Sequence, residues 1–199
     1  LISMGERLSV PLMHAMLKQR GFKAGRLSAL EIVVTDSQYG AAVVDRVRTA
    51  DHLRQGMEAL GECDVVVMEG FVGRDDQGEV TTLGRGGSDL TASLVASMLG
   101  ASHMEKSTDV PGMLTADPRV VPSAKIIESM SYEEAMELCH FGAKVIYPPT
   151  LIPLREAGIP LVIRSTFDTS SPGTTISAHP DPGTGVRGVS SIDGMALVT

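Results

Sequence analysis

The densest chemistry in the chain lies in nine consecutive residues, Thr81-Thr82-Leu83-Gly84-Arg85-Gly86-Gly87-Ser88-Asp89. They follow an apolar run ending at Glu69 and lead into a helical pattern that begins near Ser88. Gly84, Gly86 and Gly87 let the backbone approach a ligand closely, and the planar fork of Arg85 suits a carboxylate. A helix start adds unpaired N–H groups and a dipole that attract anions. In an open α/β sheet such a segment falls beyond the carboxyl ends of the strands, where ligands collect. Ser88 or Asp89 could equally be the N-cap of the helix, and capping and ligand binding are compatible. Neither a P-loop ending in Gly-Lys-Ser/Thr nor Gly-x-Gly-x-x-Gly after a strand occurs, so no standard nucleotide motif explains the loop.

A second polar cluster runs from Ser107 through Thr108, Asp109 and Leu114 to Asp117-Pro118-Arg119, with turn chemistry at Pro111-Gly112 and Asp117-Pro118. Asp109 could accept hydrogen bonds from a ribose hydroxyl or a base, and Arg119 could meet phosphates; read alone, the segment is better taken as a polar surface loop of two turns. Lys144, in Phe141-Gly142-Ala143-Lys144-Val145, follows a helix stop and reads by itself as a solvated charge favoured by the dipole. Near the start, Ser3 and Glu6 have capping-box spacing, yet a carboxylate there could also bind a substrate ammonium.

The elements that must position these groups alternate between strand-length apolar runs and helical patterns. That alternation predicts an α/β fold with a mainly parallel sheet covered on both faces. Strands are predicted at residues 30–35, 64–69, 103–108 and 159–164. Helices are predicted at 51–60, at 88–99 with Gly100 ending it, and at 131–141 opened by the capping box Ser131–Glu134 and closed by Gly142. The first helix, residues 6–19, aligns Leu8, Leu12, Met16 and Leu17 but contains Pro11, which should kink it or shift its start towards Ser9. Residues 174–177 are strand-like, and 178–185, rich in Pro and Gly, read as a linker to a second domain beginning at 186.

Composition narrows the function classes. At 199 residues, 43% hydrophobic and 21% charged, the sequence suits one soluble domain with a sizeable core. A net charge of −7 argues against nucleic acid as a partner. No apolar run approaches the roughly 20 residues of a membrane span. Cys63 and Cys139 lack metal spacing and read as buried free thiols of a reducing cytoplasm. The chain opens at Leu1 and stops within an apolar run at Thr199, so a piece of something longer is expected.

Together these segments closely resemble the aspartokinases of the amino-acid kinase family. The resemblance is carried by Gly5-Glu6-Arg7-Leu8-Ser9, Thr35-Asp36, Glu69-Gly70-Phe71, the nine residues from Thr81, Thr108-Asp109-Val110-Pro111-Gly112, Ala116-Asp117-Pro118-Arg119, residues 130–135 and 141–145, Ser165-Thr166-Phe167 and Gly173-Thr174. It covers residues 1–177, and the run from Thr81 is close to diagnostic. It implies a three-layer αβα sandwich of the carbamate kinase-like type, incomplete at its N-terminus, because relatives begin with a Lys-Phe-Gly-Gly-Thr-Ser segment that grips phosphates. The fragment is accordingly expected to be catalytically inactive. Residues 186–199 look like the opening of a regulatory ACT domain.

What the resemblance implies for the site is specific. Glu6 holds the amino group of aspartate, Arg85 a substrate carboxylate, and Gly86, Gly87 and Ser88 lie beside it. Asp89, with Arg85, has a catalytic role near the transferring phosphoryl. Thr108, Asp109, Leu114, Arg119, Lys144 and Val145 surround the nucleotide, Leu114 standing where a tyrosine is common. Residues 103–107 also depart from the pattern, since many relatives carry an aromatic before the Thr-Asp pair. The implied substrates are aspartate and ATP with Mg²⁺, and no metal ligand is assigned to the chain. A feedback amino-acid effector is expected on ACT domains beyond it, and the full-length enzyme is expected to be a homo-oligomer. A kinase of the same fold with another acceptor, such as glutamate or a nucleoside monophosphate, and a non-catalytic regulatory module are the alternatives.

Overall fold

A computed structural model describes residues 3–143, 145–181 and 185–191. The chain divides into two compact units, Leu1–Leu99 and Gly100–Thr199.

The first unit opens with α1 (Met4–Gln19), followed by β1 (Ala24–Arg26), α2 (Ala29–Ile32), α3 (Arg46–Leu60), β2 (Val65–Val67), β3 (Val72–Arg74), β4 (Val80–Thr82) and α4 (Gly87–Leu99). β1 pairs in parallel with β2, and β3 antiparallel with β4. The core gathers Ala29, Ile32, Val33, Leu53 and Val72, with Met57, Val95 and Met98 packed against it.

Three expectations are corrected here. Residues 30–35 do not form a strand: 29–32 make a helical turn, and Val34 and Thr35 contribute only isolated bridges, to Arg74 and Val44. The reason is visible in the burial of Ala29, Ile32 and Val33, an i, i+3, i+4 set that belongs to a helix. The second correction concerns α3, which starts five residues before the predicted 51. The Asp45 side chain accepts hydrogen bonds from the backbone N–H groups of Val47 and Arg48 and so caps it. The third concerns one of the two outcomes expected for α1: the helix runs through Pro11 from Met4, so its start is not shifted towards Ser9. Pro11 and Arg7 are both exposed, so water can meet the Arg7 carbonyl that loses its helical donor. Leu8 and Leu12 on this helix are 61% and 67% exposed, and only Val10 is buried.

The second unit contains β5 (Met104–Thr108), β6 (Ser129–Ser131), α5 (Tyr132–His140), a 3₁₀ turn (Pro148–Thr150), α6 (Leu151–Ala157), β7 (Leu161–Ser165) and β8 (Thr174–Ser177). Its sheet has the order β5-β7-β8-β6; β5 with β7 and β6 with β8 are parallel, and β7 with β8 is antiparallel. Along β7 burial alternates, so Leu161 and Ile163 enter the core with Met130, Leu151, Leu154 and Ile176. The capping box at the start of α5 forms as predicted: Ser131 and Glu134 exchange side-chain to backbone hydrogen bonds of 3.1 and 2.7 Å. Cys63 and Cys139 are free, but both are half-buried rather than buried, and burial pushes the Cys139 thiol up from its ordinary range. No helix among the described residues is long and apolar enough to cross a membrane.

Candidate active site

In the first unit, the turn into α4 is built by backbone geometry. Gly84 and Gly86 have φ of +76° and +70°, a region that side chains resist. A Cβ on Gly84 would also stand 2.7 Å from the Gly40 carbonyl oxygen. The turn is closed by the Gly87 N–H donating to the Gly84 carbonyl at 3.1 Å and the Leu90 N–H to the Gly86 carbonyl at 2.9 Å. The helix therefore starts at Gly87, which places Ser88 and Asp89 in its first turn rather than at the cap before it. Backbone N–H groups of a first turn have no acceptor within the helix, and the dipole is positive there.

That turn forms one wall of an open cavity of about 480 Å³, supplied by Gly84, Gly86, Gly87, Ser88 and Asp89. Gly5, Glu6 and Ser9 of α1 line it too, as does Phe71 from the connection between β2 and β3. The capping box expected at Ser3 and Glu6 does not form: Ser3 is helical, with φ −73° and ψ −8°, and its side chain caps nothing. Glu6 is thus left to the cavity. Its neighbour Ser9 donates to the Glu6 carbonyl at 2.9 Å. The arrangement sets a carboxylate, suited to an ammonium, beside a helix N-terminus suited to anions.

Glu6, Gly86, Gly87, Ser88 and Asp89, five of the residues singled out from sequence, are therefore brought together. Arg85 is exposed and is not among the cavity's lining, although both its neighbours are. Gly5, Ser9 and Phe71 line the cavity without having been assigned a role. The signal for Ser9 was its i, i+3 spacing from Glu6, which puts both on one helix face.

In the second unit, Thr108 ends β5 and its hydroxyl donates to Asp109 Oδ1 at 3.1 Å. Leu114 is half-buried in an antiparallel bridge with Ile126, and Val145 is half-buried after α5. Lys144 lies outside the described residues. Arg119 is engaged by a residue that sequence reasoning missed: its Nε lies 3.0 and 3.1 Å from the two carboxylate oxygens of Asp117, and its Nη2 lies 2.6 Å from Oδ2. Asp117 takes the Nε and Nη2 edge of the guanidinium, and the Nη1 side of this exposed arginine is the edge that faces a phosphate without displacing it.

Hydrogen bonds from the Arg119 side chain, and then from its backbone N–H, lower the Asp117 pKa from 3.8 to about 2. A carboxylate depressed in the folded state stabilises the fold above its unfolded value and loses that contribution as pH falls through the folded value. The window here is thus between about 4 and about 2. Carboxyl-carbon NMR should show Asp117 titrating near 2 and moving back towards 3.8 in Arg119→Gln; an unshifted titration in the parent protein would show that the pair is not formed in solution.

The fold and this cavity define the class: the chain belongs to the amino acid kinase family, whose model matches residues 1–165. Within that family it is similar to aspartokinases. It is 37% identical over 97% of its length to the bifunctional aspartokinase/homoserine dehydrogenase of Haemophilus influenzae, of which it spans 24%. It is 39% identical, with a TM-score of 0.83, to E. coli aspartokinase III in complex with aspartate and ADP, covering 88% of this chain and 39% of that one. The same enzyme in complex with lysine and aspartate gives a TM-score of 0.81 at 39% identity, covering 90% of this chain and 40% of that one. The chain therefore spans well under half the length of these relatives.

Proposed function

We propose that the protein to which this chain belongs is an aspartokinase, transferring the γ-phosphoryl group of ATP to the side-chain carboxylate of aspartate to give aspartyl phosphate and ADP. The observation that carries the proposal is the single cavity joining Glu6 to the first turn of α4. A free amino acid brings one ammonium and two carboxylates, and this cavity offers one anion for the first and a cationic helix end for the others. Glu6 takes the ammonium, and Arg85 swings over the turn from its exposed position to hold a carboxylate. Gly86, Gly87 and Ser88 line that site.

The acceptor carboxylate is already deprotonated at neutral pH, so no general base is required. Catalysis reduces to holding the acceptor in line and neutralising charge on a loose, metaphosphate-like transition state. Asp89 orients the catalytic groups, while Thr108, Asp109, Leu114, Arg119, Lys144 and Val145 form the nucleotide side. Mg²⁺ would neutralise phosphate charge. Residues 1–177 are the catalytic domain in this proposal, 178–185 a linker, and 186–199 the start of an ACT domain that binds a feedback amino acid in a homo-oligomeric enzyme. Residues 182–184 and 192–199 lie outside the described part.

A likeness to the UMP kinase of Bacillus anthracis, TM-score 0.57 at 16% identity, is one of fold alone. An acceptor screen separates the possibilities. The full-length protein should form hydroxylamine-trappable acyl phosphate with aspartate and ATP, and not with glutamate; ADP release should be absent with UMP. Preference for glutamate or UMP, or failure to bind ATP by calorimetry, would overturn the proposal.

A further inference from the structure

Among the described residues, Phe71 is the one non-glycine with a positive φ, +71°. For a bulky aromatic residue this is a strained backbone, sustained only when the surroundings over-determine it. The surroundings here are specific. The Phe71 N–H donates to Thr91 Oγ1 at 3.1 Å, and its carbonyl accepts from the Leu83 N–H at 2.9 Å. Thr91 in turn donates its hydroxyl to the Gly87 carbonyl at 2.8 Å, and it is 3% exposed. One buried hydroxyl thus joins the strained residue to the first turn of α4. The ring is seated where only a glycine leaves room, because a Cβ on Gly87 would stand 2.8 Å from Phe71 Cδ2 and 3.0 Å from Leu83 Cβ.

Phe71 and Gly87 both line the cavity, whereas Thr91 does not. We infer that Thr91 is a positioning residue for the amino-acid pocket: its hydroxyl locks the strained Phe71 and the α4 turn into one rigid wall. The inference rests on reading the cavity as the aspartate site. Without the hydroxyl, Phe71 loses the partner of its N–H and relaxes to an ordinary conformation, and its ring leaves the wall. The consequence falls on acceptor binding, since Thr91 touches neither substrate.

The test uses full-length enzyme carrying Thr91→Val, which keeps the shape and removes the hydroxyl, beside Thr91→Ser, which keeps the hydroxyl. Thr91→Val should raise KM for aspartate by about tenfold, the worth of one hydrogen bond of average to strong contribution. KM for ATP should stay within about twofold, and Thr91→Ser should restore the parent value. Equal losses in the valine and serine variants, an equal rise in KM for ATP, or an unchanged KM for aspartate would overturn the inference. If the valine variant does not fold, Thr91→Ala is read against the same three outcomes. Parent enzyme that phosphorylates aspartate normally while Thr91→Val behaves like it refutes the positioning role alone. Parent enzyme that transfers nothing to aspartate refutes the reading of the cavity, and this inference with it.

Discussion

Arg85→Ala in the full-length enzyme is expected to raise the aspartate concentration for half-maximal rate on the order of a hundredfold, with little change in KM for ATP. Truncating one partner of a buried, hydrogen-bonded charge pair leaves the other charge without compensation, and losses of this size follow. In the free chain Arg85 is exposed, between two glycines that line the cavity. Its guanidinium is then hydrated, and in the proposed reaction the pair would be desolvated only on entry of the acceptor carboxylate. The loss should therefore appear in binding of the acceptor, while turnover at saturating aspartate stays within about an order of magnitude. Arg85→Lys should recover only part of it, since an ammonium cannot form the planar two-point contact. Steady-state kinetics with each substrate varied in turn decides the matter. A KM for aspartate within twofold of the parent would mean that Arg85 remains in solvent throughout the reaction.

Asp89→Asn is expected to lower kcat by about 100-fold or more, the scale on which one preorganised electrostatic group contributes in a transition state. The choice of asparagine isolates charge from structure. Asp89 lies in the first turn of α4, where a carboxylate interacts favourably with the dipole. Asparagine keeps the shape and a hydrogen-bonding oxygen, so the variant should remain folded and melt in a single cooperative transition. A variant that keeps both its fold and more than a third of the parent kcat would remove Asp89 from the catalytic groups and leave it as a helix-end charge.

Legibility in the sequence differed between the two kinds of element. α4, α5 and β7 are readable because each carries its own punctuation: Gly100 after Leu99, the Ser131–Glu134 box, and the apolar run Leu161-Val162-Ile163. The segment at 29–35 was not readable, because a short apolar run has the same composition in a buried turn of helix as in a strand. Its state was settled by Leu53 and Val72, which pack with Ala29, Ile32 and Val33 from positions far along the chain. The start of α3 is marked by Asp45, a capping residue that lies ahead of the apolar periodicity of 51–60.

The candidate site shows the same division. Glycine spacing and the Arg-Gly-Gly-Ser-Asp order are local properties, so residue types and their succession were enough to indicate an anion-binding turn at the head of a helix. That Glu6 faces this turn depends on α1 crossing to the other wall of the cavity, a relation between segments some eighty residues apart that no periodicity encodes. Likewise the seating of Arg119 on Asp117 and the strained backbone of Phe71 arise from packing and hydrogen bonds. Local preference, which is all that neighbouring residues can express, assigns neither.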